Sequence, residues 1–549
     1  MPTIDVNLKD LQELIGKKLS FNELNELVLF AKSEIDSKPD EQGNFKIDVK
    51  DTNRPDLWSA EGIAREIKGQ LGLEKGLPDY KVKKSGLQII VDENVKDVRP
   101  VVLGAIIKGI KVNEPLLVQL IQLQEKVCLT FGRKRKEAAI GIYDFDKIKW
   151  PVHYKAFKPK ELKFAPLEFE KEMDLDEILE LHPKGKEYGE LLKGKKHYPI
   201  LIDSAKQVCS MPPIINSNYT GKVTEKTRNL FVEVTGFDLE IVGTALNVMI
   251  AALADRKAGI ESIEVVYGNK KIESPDLKPK SLVLDESFVQ RISGLMLSEK
   301  ELIELLEKRR MNASKKQGKL LVSYPAYRND VLHEIDLVED IIISFGYNSV
   351  DPELPKLAVT GSENKGIIMQ RKVRECCIGL GLQEVLSFNL TSKEKQEKKM
   401  RLKGIDFVEI MNPLSINQEV FRKSIIPELL DFLSRNKHVV LPQAVFEIGK
   451  TLHLNPKNDN GTEEKNVLSI VVAASQIDFT RIKSVLQSIA QAFGWKFELI
   501  EGKHASFIPG RQALIKFSDG RKGIIGEMHP EVIENFGLET PVVTLEIEL

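Results

Sequence analysis

Asp330, Asp336, Glu339 and Asp340 stand close together in the chain. Positions 336, 339 and 340 are related as i, i+3 and i+4, so a helix through them puts three carboxylates on one face, with Asp330 just before its start. Four such groups repel one another. Two things offset the repulsion: the positive end of a helix dipole, and a hard divalent cation that takes oxygen ligands and keeps several waters, such as Mg²⁺. The competing reading is an acidic first turn facing solvent, the usual fate of a charged helix face.

A basic run, Gly132-Arg133-Lys134-Arg135-Lys136, follows Val127–Phe131, which reads as a strand. Its guanidinium and ammonium groups suit phosphate contacts, or they form a solvated charged turn. From Gln207 to Ser217 small polar groups flank a rigid Pro212-Pro213 step, an arrangement suited to lining a pocket with fixed backbone, although by itself it is a loop. Gly189–Lys196 nearly spells a phosphate-binding loop. Its last position carries Lys196 where a Mg²⁺-binding hydroxyl is needed, and a charged helical stretch precedes it, so it reads as a surface turn. Neither H-E-x-x-H nor G-x-S-x-G occurs, which leaves zinc-hydrolase and α/β-hydrolase chemistry without support. The four cysteines form no C-x-x-C, so no structural zinc site is expected and a reducing compartment is.

These groups need a large scaffold. At 549 residues the chain exceeds what one hydrophobic core supports, and about three to four domains are expected. Lys+Arg 80 against Asp+Glu 81 leaves a net charge of -1, so contact with nucleic acid must use local basic patches. The N-terminus has no basic stretch followed by an apolar one, and apolar runs stop well short of ~18 residues, which points to a cytosolic protein without membrane contact. Ser20 with Glu23 and Ser298 with Glu301 are capping boxes that open helices. Asp51–Pro55 is a turn before a helix at 59–71, and 80–85 reads as a connector. Strands are expected at 87–91, 101–109, 262–266 and 320–323. Helices are expected at 115–127, 224–231, 242–255 and 334–345, the last stopped by Gly346. Residues 456–464 read as a polar hairpin tip.

Five segments carry a family resemblance. They are N-R-P-D-L-W-S-A-E-G-I-A-R-E at 53–66, F-G-R-K-R-K-E-A-A-I-G-I-Y-D at 131–144, S-M-P-P-I-I-N-S at 210–217, Y-P-A-Y-R-N-D through D-L-V-E-D at 324–340, and F-I-P-G-R at 507–511 with G-E-M-H-P at 526–530. In this order they resemble the β-subunit family of phenylalanyl-tRNA synthetases, in its shorter archaeal and eukaryotic-cytosolic form. The resemblance implies an α+β multidomain chain: an N-terminal module (1–85), a B3/B4-type editing domain (86–273), a B5-like domain (274–355), and a class II synthetase-like antiparallel sheet flanked by helices (356–549). This last domain departs from a working class II core. Val445 stands where an Arg should precede Glu447 by two residues, and no G-x-G-x-G occurs. Without those guanidiniums a triphosphate lacks preorganised stabilisation, so the domain is catalytically empty and adenylate synthesis belongs to an α subunit.

The resemblance further implies an α2β2 assembly that joins phenylalanine to its tRNA with ATP handled by α, and a second, hydrolytic site for mischarged tyrosyl-tRNA. The alternative is a scaffold that has lost hydrolysis. A pocket shaped for phenylalanine cannot strongly reject an isostere that adds a hydroxyl, which is why a second site is useful. By resemblance that site comprises Ser210, Glu233 and Thr235, with Leu201, Asn216, Ser217 and Arg133 contacting substrate. Glu233, where the family pattern has Asp, accepts a hydrogen bond from the tyrosine phenol. Asp330, Asp336, Glu339 and Asp340 match the residues that bind Mg²⁺ at the α contact, while 53–66 reads mainly as scaffold.

Overall fold

A computed structural model describes residues 2–549. They form two compact units, one ending at Glu353 and one beginning at Leu354. No helix among the described residues is long and apolar enough to cross a membrane.

The first unit opens with a small antiparallel sheet of β1 (Thr3–Asn7), β2 (Ser33–Ile35) and β3 (Asn44–Val49), ordered β1-β3-β2. Ile4, Val6, Phe45 and Ile47 alternate inward and pack with Leu11, Leu24 and Val28 of the helices Leu8–Ile15 and Phe21–Phe30. Ser20 and Glu23 close the expected capping box.

The large sheet follows. Its strands are β4 (Val82–Val91), β5 (Val101–Lys108), β6 (Ala138–Asp144) and β7 (Val152–Phe157). A two-stranded ribbon of β8 (Lys163–Phe164) and β9 (Met173–Asp174) interrupts it. The sheet then continues with β10 (Tyr198–Ile202), β11 (Val208–Met211), β12 (Ile215–Asn216), β13 (Leu230–Gly236), β14 (Gly259–Tyr267) and β15 (Lys270–Ser274). The order is β12-β11-β10-β7-β4-β14-β5-β13-β6, with β15 on β14. The helix Leu239–Asp255, apolar nearly all round, packs on β5, β13 and β6, with Gly243 over Leu103. Leu103 pairs with Val234, so alternation sends Phe231, Glu233 and Thr235 to the opposite face.

Three local expectations change. Residues 80–85 are not a connector, because β4 already begins at Val82. Residues 224–229 are turns leading into β13, which starts at Leu230 and is buried on both faces between β5 and β6. Residues 127–129 are the end of the helix Glu114–Leu129 and 130–131 the turn after it, because Leu116, Leu120, Leu123 and Val127 recur at helical spacing on its buried face. The basic run after it turns sharply, with φ of 47, 54 and 65° at Arg133, Lys134 and Arg135.

The strands Lys280–Leu284, Asn312–Lys316 and Lys319–Tyr324, with helices Glu286–Ser293, Glu299–Lys308 and Glu334–Phe345, complete this unit around Leu302, Leu306, Val322, Leu337 and Ile341. An ion-pair ring lies buried in its interior. Arg54 donates to Glu66 at 2.9 Å and to Asp56 at 2.8 Å. Arg309 reaches Glu66 at 2.7 Å and Asp340 at 3.0 Å, and Arg328 reaches Asp340 at 2.6 Å and Asp330 at 2.7 Å. Asp330 closes the circle at 3.8 Å from Arg54. Six charges of alternating sign thus tie the segment 53–66 to the segment 324–340, a role that neither motif betrays alone.

The second unit is a seven-stranded sheet ordered Gln383–Glu384, Gln443–Leu454, Thr462–Ala473, Val542–Glu548, Lys522–Met528, Phe507–Phe517 and Phe497–Glu501. Every pairing but the first is antiparallel. Helices Lys365–Gly379, Ile426–Arg435 and Phe479–Phe493 flank it. Residues 455–461 form the tip of its long hairpin, and 462–464 already pair in its second strand.

Candidate functional site

A cavity of 440 Å³ opens where the two ends of the large sheet's strand order meet. Side chains, not ladder bonds, bridge these ends. Asn216 of β12 donates to the carbonyl of Ile142 in β6 at 3.1 Å, and Gln124 of the helix Glu114–Leu129 donates to the neighbouring edge carbonyl of Ile140 at 2.6 Å. Free edge carbonyls that would otherwise pair with another strand are thereby occupied. Leu117, Leu120, Ile140 and Ile142 give the cavity apolar walls, and Ser210, Asn216 and Glu233 are among its polar groups.

Glu233 is 2% exposed. Its neighbours across both ladders are glycines, Gly104 on β5 and Gly141 on β6. A Cβ at Gly141 would collide with both the Glu233 carboxylate and the Tyr143 hydroxyl, so glycine is what makes room for their contact. The Tyr143 hydroxyl lies 2.9 Å from Glu233 Oε1 and 2.7 Å from Ser210 Oγ, and its ring stacks on Phe231. Glu233 Oε2 is buried with no hydrogen-bond partner. Burial pushes the Glu233 carboxyl up to about 7, against the opposing pull of the Tyr143 hydrogen bond and the Arg99 charge. A carboxylate poised near neutrality, with one oxygen open, suits a ligand that brings a hydrogen-bond donor.

Ser210, Glu233 and Asn216 therefore share one cavity, whereas the other sequence-expected residues lie elsewhere. Leu201 is core, paired with Ser210 and Tyr154 on adjacent strands. Thr235 is fully buried, its Oγ1 accepting from Arg99 Nε at 2.9 Å, which leaves it behind the cavity wall. Ser217 bonds Thr220 at 2.9 Å and braces the 210–217 loop. Arg133 is exposed and does not line the cavity; Arg135, two residues on, does. Arg135 donates to the carbonyls of Pro213 and Ile214, pairs with Glu125 at 3.1 Å and lies over the Tyr188 ring at 4.1 Å. The left-handed turn swings Arg133 outward and Arg135 inward, which a count of basic residues does not reveal. Tyr143, Gln124 and Glu125 are lining and supporting groups that the sequence alone does not single out, and in the basic run it does not tell Arg135 from Arg133. The period-two series Ala139, Gly141, Tyr143 was the available signal.

The four carboxylates 330–340 do not converge on one point within this chain. Among the described residues no three His, Cys, Asp or Glu side chains converge as ligands. Asp330 and Asp340 are buried on arginines of the ion-pair ring. Asp336 Oδ2 accepts the backbone N–H groups of Leu332 and His333 at 2.8 and 2.7 Å, capping its helix. Glu339 is half exposed beside Lys32. The helical spacing holds, and within this chain arginines neutralise Asp330 and Asp340. We expect the purified chain to show the same melting temperature in millimolar Mg²⁺ and in chelator; a rise of several degrees with Mg²⁺, lost in Asp336→Ala with Glu339→Ala, would restore the metal.

In the second unit Val445 is buried in the core, and Glu447 is held by Arg422 at 2.7 Å and by Ser387 at 2.6 Å. Arg422 is 2% exposed, and its guanidinium is spent on that internal pair. The sheet thus turns the charges of Arg422 and Glu447 inward, onto each other.

Three family models match the chain: "B3/4 domain" over residues 98–256, "tRNA synthetase B5 domain" over 282–347 and "Phenylalanyl tRNA synthetase beta chain CLM domain" over 350–549. Together with the folds above they define a multidomain chain of the aminoacyl-tRNA synthetase class. The phenylalanine–tRNA ligase beta subunit of Pyrococcus horikoshii is 49% identical over 100% of this chain and 99% of its own. That of Archaeoglobus fulgidus is 41% identical over 90% of each. A crystal structure of an N-terminal fragment of the Pyrococcus horikoshii phenylalanyl-tRNA synthetase beta subunit superposes with a TM-score of 0.62, at 53% identity, covering 63% of this chain and all of the fragment. The chain belongs to the phenylalanine–tRNA ligase beta subunit family.

Proposed function

We propose that this chain joins a separate α subunit, in an α2β2 cytoplasmic assembly, to attach phenylalanine to its tRNA, and that its 440 Å³ cavity hydrolyses tyrosyl-tRNA formed in error. The observation that carries the proofreading reading is the buried Glu233 carboxylate with one unpartnered oxygen among the residues lining this cavity. A tyrosyl phenol donates to that oxygen. A phenylalanyl ring leaves it buried and unpaired, a difference that binding sites convert into large discrimination. Lys184 and Lys222 border the same cavity and offer positive charge to the phosphates of a tRNA end. Asn216 and the Glu125–Arg135 pair supply hydrogen-bonding groups for the ester and a water.

ATP chemistry belongs to the partner, because Arg422 and Glu447 are committed to each other. A partner chain is further supported by exposed apolar side chains in the second unit, with Phe388 77% and Met411 97% exposed. We assign proofreading to 86–273, assembly to 274–355 and 356–549, and scaffolding to 1–85. The test is deacylation of tyrosyl-tRNA by the assembled complex. Glu233→Ala is expected to lower the rate ratio of tyrosyl- to phenylalanyl-tRNA at least tenfold, and Thr235→Ala, which acts only through Arg99, less. An unchanged ratio in the Glu233 variant removes this reading.

A further inference from the structure

We propose that Tyr143 is a specificity-determining positioning residue, an internal phenol whose hydroxyl sets the hydrogen-bond direction of Ser210 and Glu233 so that the cavity accepts only ligands bearing a donor. The inference rests on the proofreading reading of that cavity.

The Tyr143 hydroxyl touches Ser210 Oγ at 2.7 Å and Glu233 Oε1 at 2.9 Å, and all three groups are buried. A phenol has one O–H to donate and lone pairs to accept, and an ionised carboxylate can only accept. When Glu233 is ionised, the single Tyr143 O–H goes to Glu233 Oε1, and the 2.7 Å contact with Ser210 is then made by the serine's own O–H. What remains facing a ligand is a set of acceptors: the unpartnered Glu233 Oε2 and the lone pairs of Ser210. A para-hydroxyl or para-amino group satisfies them; a C–H or C–F group does not, and leaves a buried charge without a partner.

The supporting geometry is built for this one contact. Gly141 on β6 clears the space between the two oxygens, and the stack of Tyr143 on Phe231 holds the ring in place. The charged and titratable groups facing Glu233 are Tyr143 on β6, Tyr154 on β7, Cys209 on β11 and Arg99 ahead of β5. Of these, Tyr143 bonds it directly, and that bond favours the ionised carboxyl.

The experiment uses the full chain assembled with its α partner, in the wild type and in Tyr143→Phe. In the variant Ser210 regains a free O–H. Discrimination between tRNA charged with 4-aminophenylalanine and with 4-fluorophenylalanine is expected to fall at least tenfold, and the pH midpoint of tyrosyl-tRNA deacylation to move upward by half a unit or more. A residue that merely fills space would move neither. An unchanged ratio and midpoint in a folded variant overturn the inference. Should Tyr143→Phe not fold, the wild type decides: equal deacylation of the 4-amino and 4-fluoro substrates overturns it. If Glu233→Ala lowers selectivity while Tyr143→Phe does nothing, this inference fails alone; if neither matters, the proofreading reading fails as well.

Discussion

Asp340→Ala is expected to cost about 3–5 kcal/mol of folding stability, as removal of one member of a buried ion pair does elsewhere. Asp340 is 2% exposed and serves two guanidiniums, Arg309 and Arg328, which are themselves buried. Burial alone would raise its carboxyl, yet Arg328, Arg309 and Arg54 outweigh that and hold it well below the usual carboxylate range. The alanine leaves two cations in the interior with half their counter-charge. Because the ring joins Arg54 and Glu66 to Arg309, Arg328 and Asp330, the damage spreads to both segments it connects. Urea denaturation at neutral pH measures the loss. The comparison is Glu339→Ala, which removes only a half-exposed partner of Lys32 and should change stability by less than about 1 kcal/mol. Equal effects for the two variants would mean that the ring contributes nothing particular. The sign with pH also follows: a depressed carboxyl stabilises above its unfolded value, and that contribution is lost as acid protonates it.

The same ring explains what sequence could and could not reveal. Capping boxes at Ser20 and Ser298, the helix Glu334–Phe345 and the hairpin around 456–464 follow from short-range chemistry, and short-range chemistry is written locally. The partners of Asp340 are Arg309 and Arg328, and through Arg309 the ring reaches Glu66, far off in the chain. Spacing alone presents the carboxylates as mutually repelling, and only the fold brings their cations. The cavity divides in the same way. Resemblance singles out Glu233 and Ser210, which share the cavity, whereas Tyr143 enters the sequence only as part of a motif. Its role depends on β6 and β11 lying at opposite reaches of the strand order and meeting again across the cavity. Arg133 and Arg135 differ only in which way a left-handed turn throws them, a choice that residue type does not encode.

Glu233→Gln is expected to make the protein more stable at neutral pH while weakening its selectivity. An ordinary glutamate titrates near 4.5, and burial pushes Glu233 up to about 7. A carboxyl raised in the folded state contributes stability that is fully present below the unfolded value and is lost as pH climbs through the folded one. The loss therefore falls between about 4.5 and 7, and the gap is worth roughly 3 kcal/mol. Glutamine keeps the shape and carries no charge to desolvate, so its stability relative to wild type should grow across that window and level off above it. Urea titrations at pH 4.5, 6 and 7.5 measure the difference; a constant difference would mean that the folded carboxyl ionises as it does in water. The same substitution replaces an acceptor-only group with an amide that also donates, so a phenylalanyl ligand no longer leaves a buried charge unpaired. Stability gained with discrimination lost is the signature of a residue retained for recognition at the expense of the fold.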